Sequence, residues 1–323
     1  MRFGTVAIVG RSNVGKSTFL NAALGEPLAI VSPRPQTTRE NLLGIVRHDG
    51  AQIAFVDTPG LHRPHTELGR RMNANAEGAL RSTDVVVLMT DVSTVLTSRE
   101  RAAKQPILEE DAKLLAEVPP NVPCVVAINK IDLLKDKARL LPMIAAFSER
   151  REVAAFVPLS ALEDDGVGRV LDEVGKLLPE GPEGYDESTL TDRPASFFAR
   201  EYIREQVLRS TAGEVPHAVA VSIDEFSETE RLAVIKATLH VEKPGQRAIL
   251  VGRGGSKIKE IGIGARRRIE ELLGKKVHLE LFVRVTPRWK DVPRQLAELG
   301  YDAPEFSGET EEGASRGEDG GPE

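Results

Sequence analysis

The sequence predicts an α/β chain: a doubly wound, mostly parallel sheet followed by a smaller α+β unit. Three observations lead there. Over residues 1–180, short β-branched runs alternate with longer amphipathic stretches, the pattern of strands joined by crossover helices. Asp49-Gly50, a preferred tight-turn pair, separates two such runs and marks one antiparallel hairpin at the sheet's edge. At Pro179-Glu180-Gly181-Pro182-Glu183-Gly184 the pattern breaks into turn formers, and a different order of elements follows. The expected division is a first domain over 1–180, a linker over 181–194, a second domain over 195–301 and an acidic tail over 302–323.

In order, the strands expected in the first domain are TVAIVG, LLGIVRH, QIAFVD, DVVVLMTD, PCVVAINK and VAAFVPLS. Each is short and rich in branched side chains, which suits a buried strand better than a helix. KSTFLNAAL and VGRVLDEVGKLL carry helical spacing between them. The second domain opens on a helix, PASFFAREYIREQVLR, and continues with strands HAVAVSIDEF and LAVIKATLHVEK. RAILVG reads as a further strand-like segment, ahead of a basic helix SKIKEIGIGARRRIEELLG, a strand KVHLELFVRV and a short helix near Pro293 to Leu299. The final SGETEEGASRGEDGGPE has no stretch able to form a core and reads as disordered.

Of the 323 residues 41% are hydrophobic and 28% charged, enough for two ordinary cores. The single cysteine, Cys124, excludes an intramolecular disulfide and suits a reducing compartment. No apolar stretch nears the roughly 18 residues that span a bilayer. No charged-then-apolar leader precedes TVAIVG, so a cytoplasmic location is expected. The net charge of −6 conceals an asymmetry: from Arg247 to Lys290, 12 Lys and Arg face 4 Asp and Glu, whereas Asp302 to Glu323 holds 8 acidic residues and one Arg. A basic segment in an acidic chain suits a polyanionic partner, although a solvated helix face has the same composition.

Gly10-Arg11-Ser12-Asn13-Val14-Gly15-Lys16-Ser17 matches GxxxxGK[ST] between a strand and a helix that Thr18 continues. The glycines let backbone N–H groups wrap phosphates at the helix N-terminus. Lys16 would reach the β- and γ-phosphates, and Ser17 would ligate Mg²⁺. Asp57-Thr58-Pro59-Gly60 ends QIAFVD, where a carboxylate can hold a Mg²⁺ water and the Gly60 amide can sense the γ-phosphate. Asn129-Lys130-Ile131-Asp132 ends PCVVAINK. Asp132 can accept from the guanine N1–H and 2-amino group, which adenine does not offer, while Asn129 and Lys130 would brace the base and the loop. Ser160-Ala161 ends VAAFVPLS and would present a backbone amide to guanine O6. Each short motif is weak alone. Their order, each at the C-terminal end of a strand, points to GTP as substrate and GDP as product.

Gly252-Arg253-Gly254-Gly255 has the GxxG form with which KH domains clamp the backbone of about four nucleotides. Lys257, Lys259, Arg266, Arg267 and Arg268 on the following helix can supply phosphate contacts. A lone GxxG is usually a turn, but the helix–strand–strand–helix–strand order around it agrees with the type II KH arrangement.

With these motifs in place, the chain resembles the Era family of GTPases from about Arg2 to Tyr301. The likeness extends to Gln36-Thr37-Thr38-Arg39, to REYIREQVL and VPHAVAVSIDEF, to VGRGGSKIKEIGIGARRRIEELLGKKVHLELFVRV and to the stretch from Trp289 to Tyr301. It implies that Thr38 closes onto Mg²⁺ in the GTP state, and that Lys16, Asn13, Thr38 and Gly60 serve hydrolysis. Leu61 stands where Ras-like enzymes carry the glutamine that orients the attacking water, and leucine has no polar atom for that task. Asn13 matches the asparagine that ligates K⁺ in relatives without that glutamine; capping the loop is the alternative role for it. The resemblance further implies a monomer that binds the 3′ end of 16S rRNA, assists 30S subunit assembly and touches the inner face of the cell membrane peripherally. Departures are Ser12 in place of proline, the stretch from Ser93 to Gln105, and the acidic tail. An RNA-binding protein with an inert nucleotide fold is opposed by the presence of Lys16, Ser17, Asp57 and Asp132. A tRNA-modification GTPase would carry its nucleotide domain inside a helical one, and a double GTPase would carry a second P-loop. This chain has neither feature.

Overall fold

The structure is a computed structural model that describes residues 1–60, 64–98, 100 and 104–301. The first domain contains β1 (Arg2–Gly10), β2 (Leu42–His48), β3 (Ala51–Asp57), β4 (Val85–Asp91), β5 (Cys124–Asn129) and β6 (Ala155–Pro158). They form one sheet of order β2-β3-β1-β4-β5-β6, parallel throughout except for the β2–β3 hairpin. Asp49 and Gly50 turn that hairpin at φ 42° and 75°, the left-handed pair that two-residue hairpins require. Helices α1 (Lys16–Leu24), α2 (Glu67–Arg81), α3 (Glu109–Glu117), α4 (Leu141–Ser148) and α5 (Val167–Leu177) cover the sheet's two faces. Val6 and Ile8 of β1 enter one core, with Phe19 of α1 and Val170 of α5; Ala7 and Val9 enter the other, with Leu114 of α3 and Met143 of α4. Burial on both faces is why these strands read as unbroken apolar runs.

The second domain contains α6 (Ala195–Ser210), β7 (Ala220–Glu228), β8 (Leu232–Val241), α7 (Pro244–Val251), α8 (Ser256–Leu273), β9 (Lys276–Val285) and α9 (Pro293–Glu298). β7 pairs antiparallel and β9 parallel with the central β8. One expectation is corrected here: RAILVG is helical, not strand-like. Pro244 fills the first turn, where its missing N–H costs nothing. Gln246 reaches back to the backbone N–H groups of Glu242 and Lys243, at 2.9 and 3.0 Å, and Leu250 turns inward. A four-residue apolar run cannot distinguish helix from strand by periodicity, and the capping group decides.

The segment 181–194, expected as a linker, is pinned along the first domain. The Gln52 side chain accepts from Gly184 and Tyr185 N–H and donates to Tyr185 O, and Ile45 N–H of β2 donates to Leu190 O at 2.8 Å. Edge strand β2 is thereby partly covered. The two domains also share a small core in which Leu68 and Met72 of α2 meet Trp289, Leu296, Leu299 and Tyr301. Among the described residues no helix is long and apolar enough to cross a membrane. The tail, 302–323, lies outside the described residues.

Candidate functional site

Because β3, β1, β4, β5 and β6 run parallel, their C-terminal ends share one edge, and the loops leaving them converge there. The phosphate loop runs from Gly10 into α1, with Asn13 and Gly15 at φ 65° and 108°. A side chain at Gly15 would overlap Asn129, whose Nδ2 donates to Val14 O at 2.7 Å. That glycine admits both the turn and the base-side strand behind it. A cleft of about 410 Å³ opens over the loop, lined by Ser12, Asn13, Lys16, Ser17, Thr18 and Thr38 among others. Lys16 is buried and donates to Gly10 O and Arg11 O at 3.0 and 3.1 Å. Burial pushes its ammonium down to about 8, so an anion brought to the loop favours the charged form.

Ser17, Thr38 and Asp57 meet as a set of hard oxygen donors. Ser17 Oγ donates to Asp57 Oδ2 at 2.6 Å and lies 2.9 Å from Thr38 Oγ1, which is itself 3.3 Å from Asp57 Oδ2. The other carboxylate oxygen, Oδ1, is buried without a hydrogen-bond partner, and burial raises the group's pKa. Two hydroxyls and a half-satisfied buried carboxylate fit a Mg²⁺ ion, which takes oxygen ligands. Thr58 serves the backbone: its hydroxyl donates to Ile8 O at 2.8 Å and fixes the turn after β3. Pro59 follows, and Gly60 packs onto Ser12 so closely that a side chain there would meet its backbone. Leu61 lies outside the described residues.

On the base side, Asp132 is exposed on the 3₁₀ turn Ile131–Leu133. Lys130, at φ 67°, donates to Asn13 O at 2.8 Å. Ala161 N–H, expected to be free for guanine O6, instead donates to Asn129 Oδ1 at 2.9 Å, so the base and Asn129 would compete for or share it. Ser160 exchanges backbone hydrogen bonds with Asp165, which shapes the same loop. Asn13 Nδ2 donates to Pro33 O at 2.9 Å and ties the phosphate loop to the segment carrying Thr38.

That segment is held from its other side by the second domain, which the motifs did not reveal. The buried Arg204 of α6 donates to Thr37 O and to Glu201. Arg39 is buried beside Trp289 and Tyr301, and donates to Val219 O at 2.7 Å and to the Tyr301 hydroxyl at 3.3 Å. Glu40 pairs with Arg200, and Arg34 donates to Leu208 O and Thr211 O. Burial works against the Glu201 carboxylate, but Arg204, with Arg200 and Arg39, more than offsets it and leaves Glu201 below the usual carboxylate range. Residues on both sides of Thr38 are thus bonded to the second domain. The signal for it, a run of charged residues in a helix with buried positions, is ambiguous without the partner.

Gly252-Arg253-Gly254-Gly255 joins α7 to α8, with positive φ at all three glycines. A groove of about 700 Å³ runs between α8 and β9, lined by Lys259 and Arg266 around Ile258, Ile263, Leu279 and Leu281. A basic rim on an apolar floor suits a single strand whose bases stack inward. Lys257 pairs with Glu260 at 2.7 Å and Arg267 with Glu271 at 3.4 Å. Arg268 is a correction to the phosphate-contact set. It pairs with the buried Glu205 at 2.9 Å, donates to Pro27 O of the first domain at 2.6 Å and stacks on Tyr202, all away from the groove.

Comparison with known proteins agrees with both halves. Residues 5–130 match the family described as 50S ribosome-binding GTPase, and residues 214–290 match the KH domain family. The GTPase Era of Geobacter metallireducens is 43% identical over 302 residues, spanning 93% of this chain and 98% of its own. The GTPase Era of Lactobacillus helveticus is 40% identical over 305 residues, 94% and 97% of the two chains. A crystal structure of Era in complex with MgGDPNP and nucleotides 1506–1542 of 16S ribosomal RNA superposes with TM-score 0.86 at 36% identity, covering 94% of this chain and 99% of that one. A single-residue variant of Aquifex aeolicus Era bound to GDP·AlF4⁻ gives TM-score 0.83, again at 36% identity, over 94% of this chain and 100% of that one. With a GTPase-family match and a KH unit in one chain, and relatives matched along nearly their whole length, this chain belongs to the Era family of GTPases.

Proposed function

We propose that this GTPase is a switch whose nucleotide state sets how its KH domain engages the 3′ end of 16S rRNA during 30S subunit assembly. The observation that carries the reading is the position of Thr38. Its hydroxyl joins Ser17 and Asp57, while Thr37, Arg39 and Glu40 beside it bond to the second domain. A γ-phosphate that draws Thr38 in therefore pulls on the RNA-binding unit. Lys16 and the phosphate-loop N–H groups would grip the phosphates, and Gly60 N–H would sense the γ-phosphate. Asp132 would read guanine. Ser17 and Thr38 would hold Mg²⁺ beside Asp57, and the ion would offset charge on the β- and γ-phosphates. The relative solved with MgGDPNP and 16S nucleotides 1506–1542 supports both ligands. Cytoplasmic location, peripheral membrane contact and a monomeric state belong to the same proposal by family likeness.

The RNA surface is tested at Gly254. Nothing lies within 4 Å of a Cβ built there, and Asp tolerates its left-handed backbone at φ 54°, so Gly254→Asp is expected to fold. The carboxylate would stand where a phosphate approaches, and affinity for a 16S 3′-terminal oligonucleotide should fall about tenfold or more. Intrinsic GTP turnover should stay near the parent's. A gel-shift titration with unchanged affinity would remove the KH loop from RNA binding.

Hydrolysis needs positive charge at the γ-phosphoryl group beyond Lys16, and Leu61 offers no polar atom for positioning water. Asn13 lines the phosphate cleft, and its side-chain oxygen suits a monovalent cation such as K⁺. Turnover is expected to be several-fold to about tenfold faster in KCl than in matched NaCl, below the 10³–10⁵ of an arginine finger. Asn13→Ala should erase the difference. Equal parental rates in the two salts would take the cation out of the mechanism.

A further inference from the structure

Two acids outside the nucleotide motifs stand behind the phosphate loop. Asp91 ends β4 opposite Asn129 in the strand register, and Asp111 sits in the first turn of α3; both are buried. Arg11 of the phosphate loop donates Nε to Asp111 at 2.8 Å and Nη2 to Asp91 at 3.3 Å. Lys130 donates to the other oxygen of Asp91 at 2.7 Å and to Asn13 O at 2.8 Å. Thr90 Oγ1 holds the far oxygen of Asp111 at 2.8 Å, and Ser93 N–H donates to Asp91 at 3.1 Å. Two cations and two carboxylates therefore close a neutral set. It touches the phosphate loop at Arg11 and Asn13 and the base-reading turn at Lys130.

We propose that Asp91 is a positioning residue for the guanine nucleotide, with the Arg11–Asp111 pair as its second anchor. Lys130 sits in the left-handed region immediately before the 3₁₀ turn that carries Asp132, so the direction of its side chain and the placing of that turn are coupled. The Lys130 ammonium is bonded to one loop carbonyl and to Asp91. Without the Asp91 charge, Arg11 and Lys130 are two cations facing a single remaining carboxylate, Asp111. Repulsion then acts on the phosphate loop and on the base-reading turn together. Burial opposes the charged form of Asp91, and hydrogen bonds from Lys130 and Ser93 more than offset it, so the acid is ionised at neutral pH and the interaction is a charged one. Since neither acid reaches the cleft over the phosphate loop, the effect falls on holding nucleotide rather than on phosphoryl transfer.

The inference rests on the guanine-nucleotide reading of the site, and the parent's own GDP affinity and turnover report on that reading separately. The test compares the parent with Asp91→Asn and Asp111→Asn by titration with fluorescent GDP, steady-state GTP turnover and thermal melting. Asp91→Asn is expected to raise Kd and KM about tenfold while kcat at saturation stays within about threefold. Asp111→Asn, which touches Arg11 alone of the two cations, should give a smaller rise. Adding Arg11→Gln to Asp91→Asn removes the unbalanced cation and should recover part of the lost affinity. Parental Kd and KM in Asp91→Asn would overturn the proposal, as would a fall in kcat with KM unchanged. A lowered melting temperature with parental Kd in the folded protein would reduce Asp91 to a structural acid and overturn it equally.

Discussion

Lys16→Ala is expected to weaken GTP binding by about 2–5 kcal/mol, or about 30-fold and upward, the range for truncating one partner of a buried hydrogen-bonded charge pair. The Lys16 side chain lies under the phosphate cleft, held by two loop carbonyls, and no water can substitute for it cheaply at a position 6% exposed. The KH fold should survive, because the Lys16 ammonium bonds within the phosphate loop, to Gly10 O and Arg11 O, whereas Ile235, Leu239, Ile261 and Ile269 are buried in the second domain. The same residue gives a pH signature. The free ammonium has its pKa lowered to about 8, and a bound phosphate raises it. Binding therefore favours the protonated form: affinity is full below about 8 and declines as pH rises from 8 towards the bound value. Fluorescent-GDP titrations from about pH 7 to about pH 9 should show that decline in the parent and a flatter profile in Lys16→Ala. Equal affinity of the two proteins at neutral pH would contradict the assignment.

Arg204→Met is expected to destabilise the chain by about 3–5 kcal/mol, since it leaves the Glu201 carboxylate buried without its main partner. Urea melts followed by tryptophan fluorescence are suited to this, because Trp289, the one Trp in the chain, is packed in the same interdomain contact. The double variant Arg204→Met/Glu201→Leu replaces the pair with apolar side chains and should regain most of the stability. It cannot regain the bond to Thr37 O. Turnover and RNA affinity should therefore remain uncoupled in a protein that is otherwise well folded, which separates a role in coupling from a role in folding. Single and double variants with parental stability and parental coupling of turnover to RNA affinity would show that this arginine holds nothing of consequence.

The sheet was legible in the sequence because a parallel strand buried on both faces writes its identity locally, as in DVVVLMTD, where all seven residues of β4 are buried. The nucleotide motifs were legible for a related reason: each is a few consecutive residues at a strand end, and sheet topology alone brings the ends together. RAILVG was not, since its helical state depends on Gln246 capping Lys243 just before it. Arg268 looked like its basic neighbours, and only the distant Glu205, Pro27 and Tyr202 turn it towards the first domain. Arg39, Arg204 and Asp91 share that difficulty. Their partners lie mostly far away along the chain, and a charged residue carries no mark of being buried. Segment 181–194 has a linker's composition, yet Gln52 and Ile45 pin it through backbone groups that any sequence would offer.

The coupling of nucleotide to RNA is tested most directly by the affinity for a 16S 3′-terminal oligonucleotide, measured with saturating non-hydrolysable GTP analogue and again with GDP. With Thr38 held between the phosphate site and a segment bonded to the KH domain, binding should be about tenfold tighter in the analogue state, a coupling of about 1.4 kcal/mol. Linkage requires the oligonucleotide to tighten the analogue, relative to GDP, by the same factor. Thr38→Ala should collapse both ratios towards one. Identical RNA affinities in the two nucleotide states of the parent would contradict the switch, and leave a GTPase and an RNA-binding domain that merely share a chain.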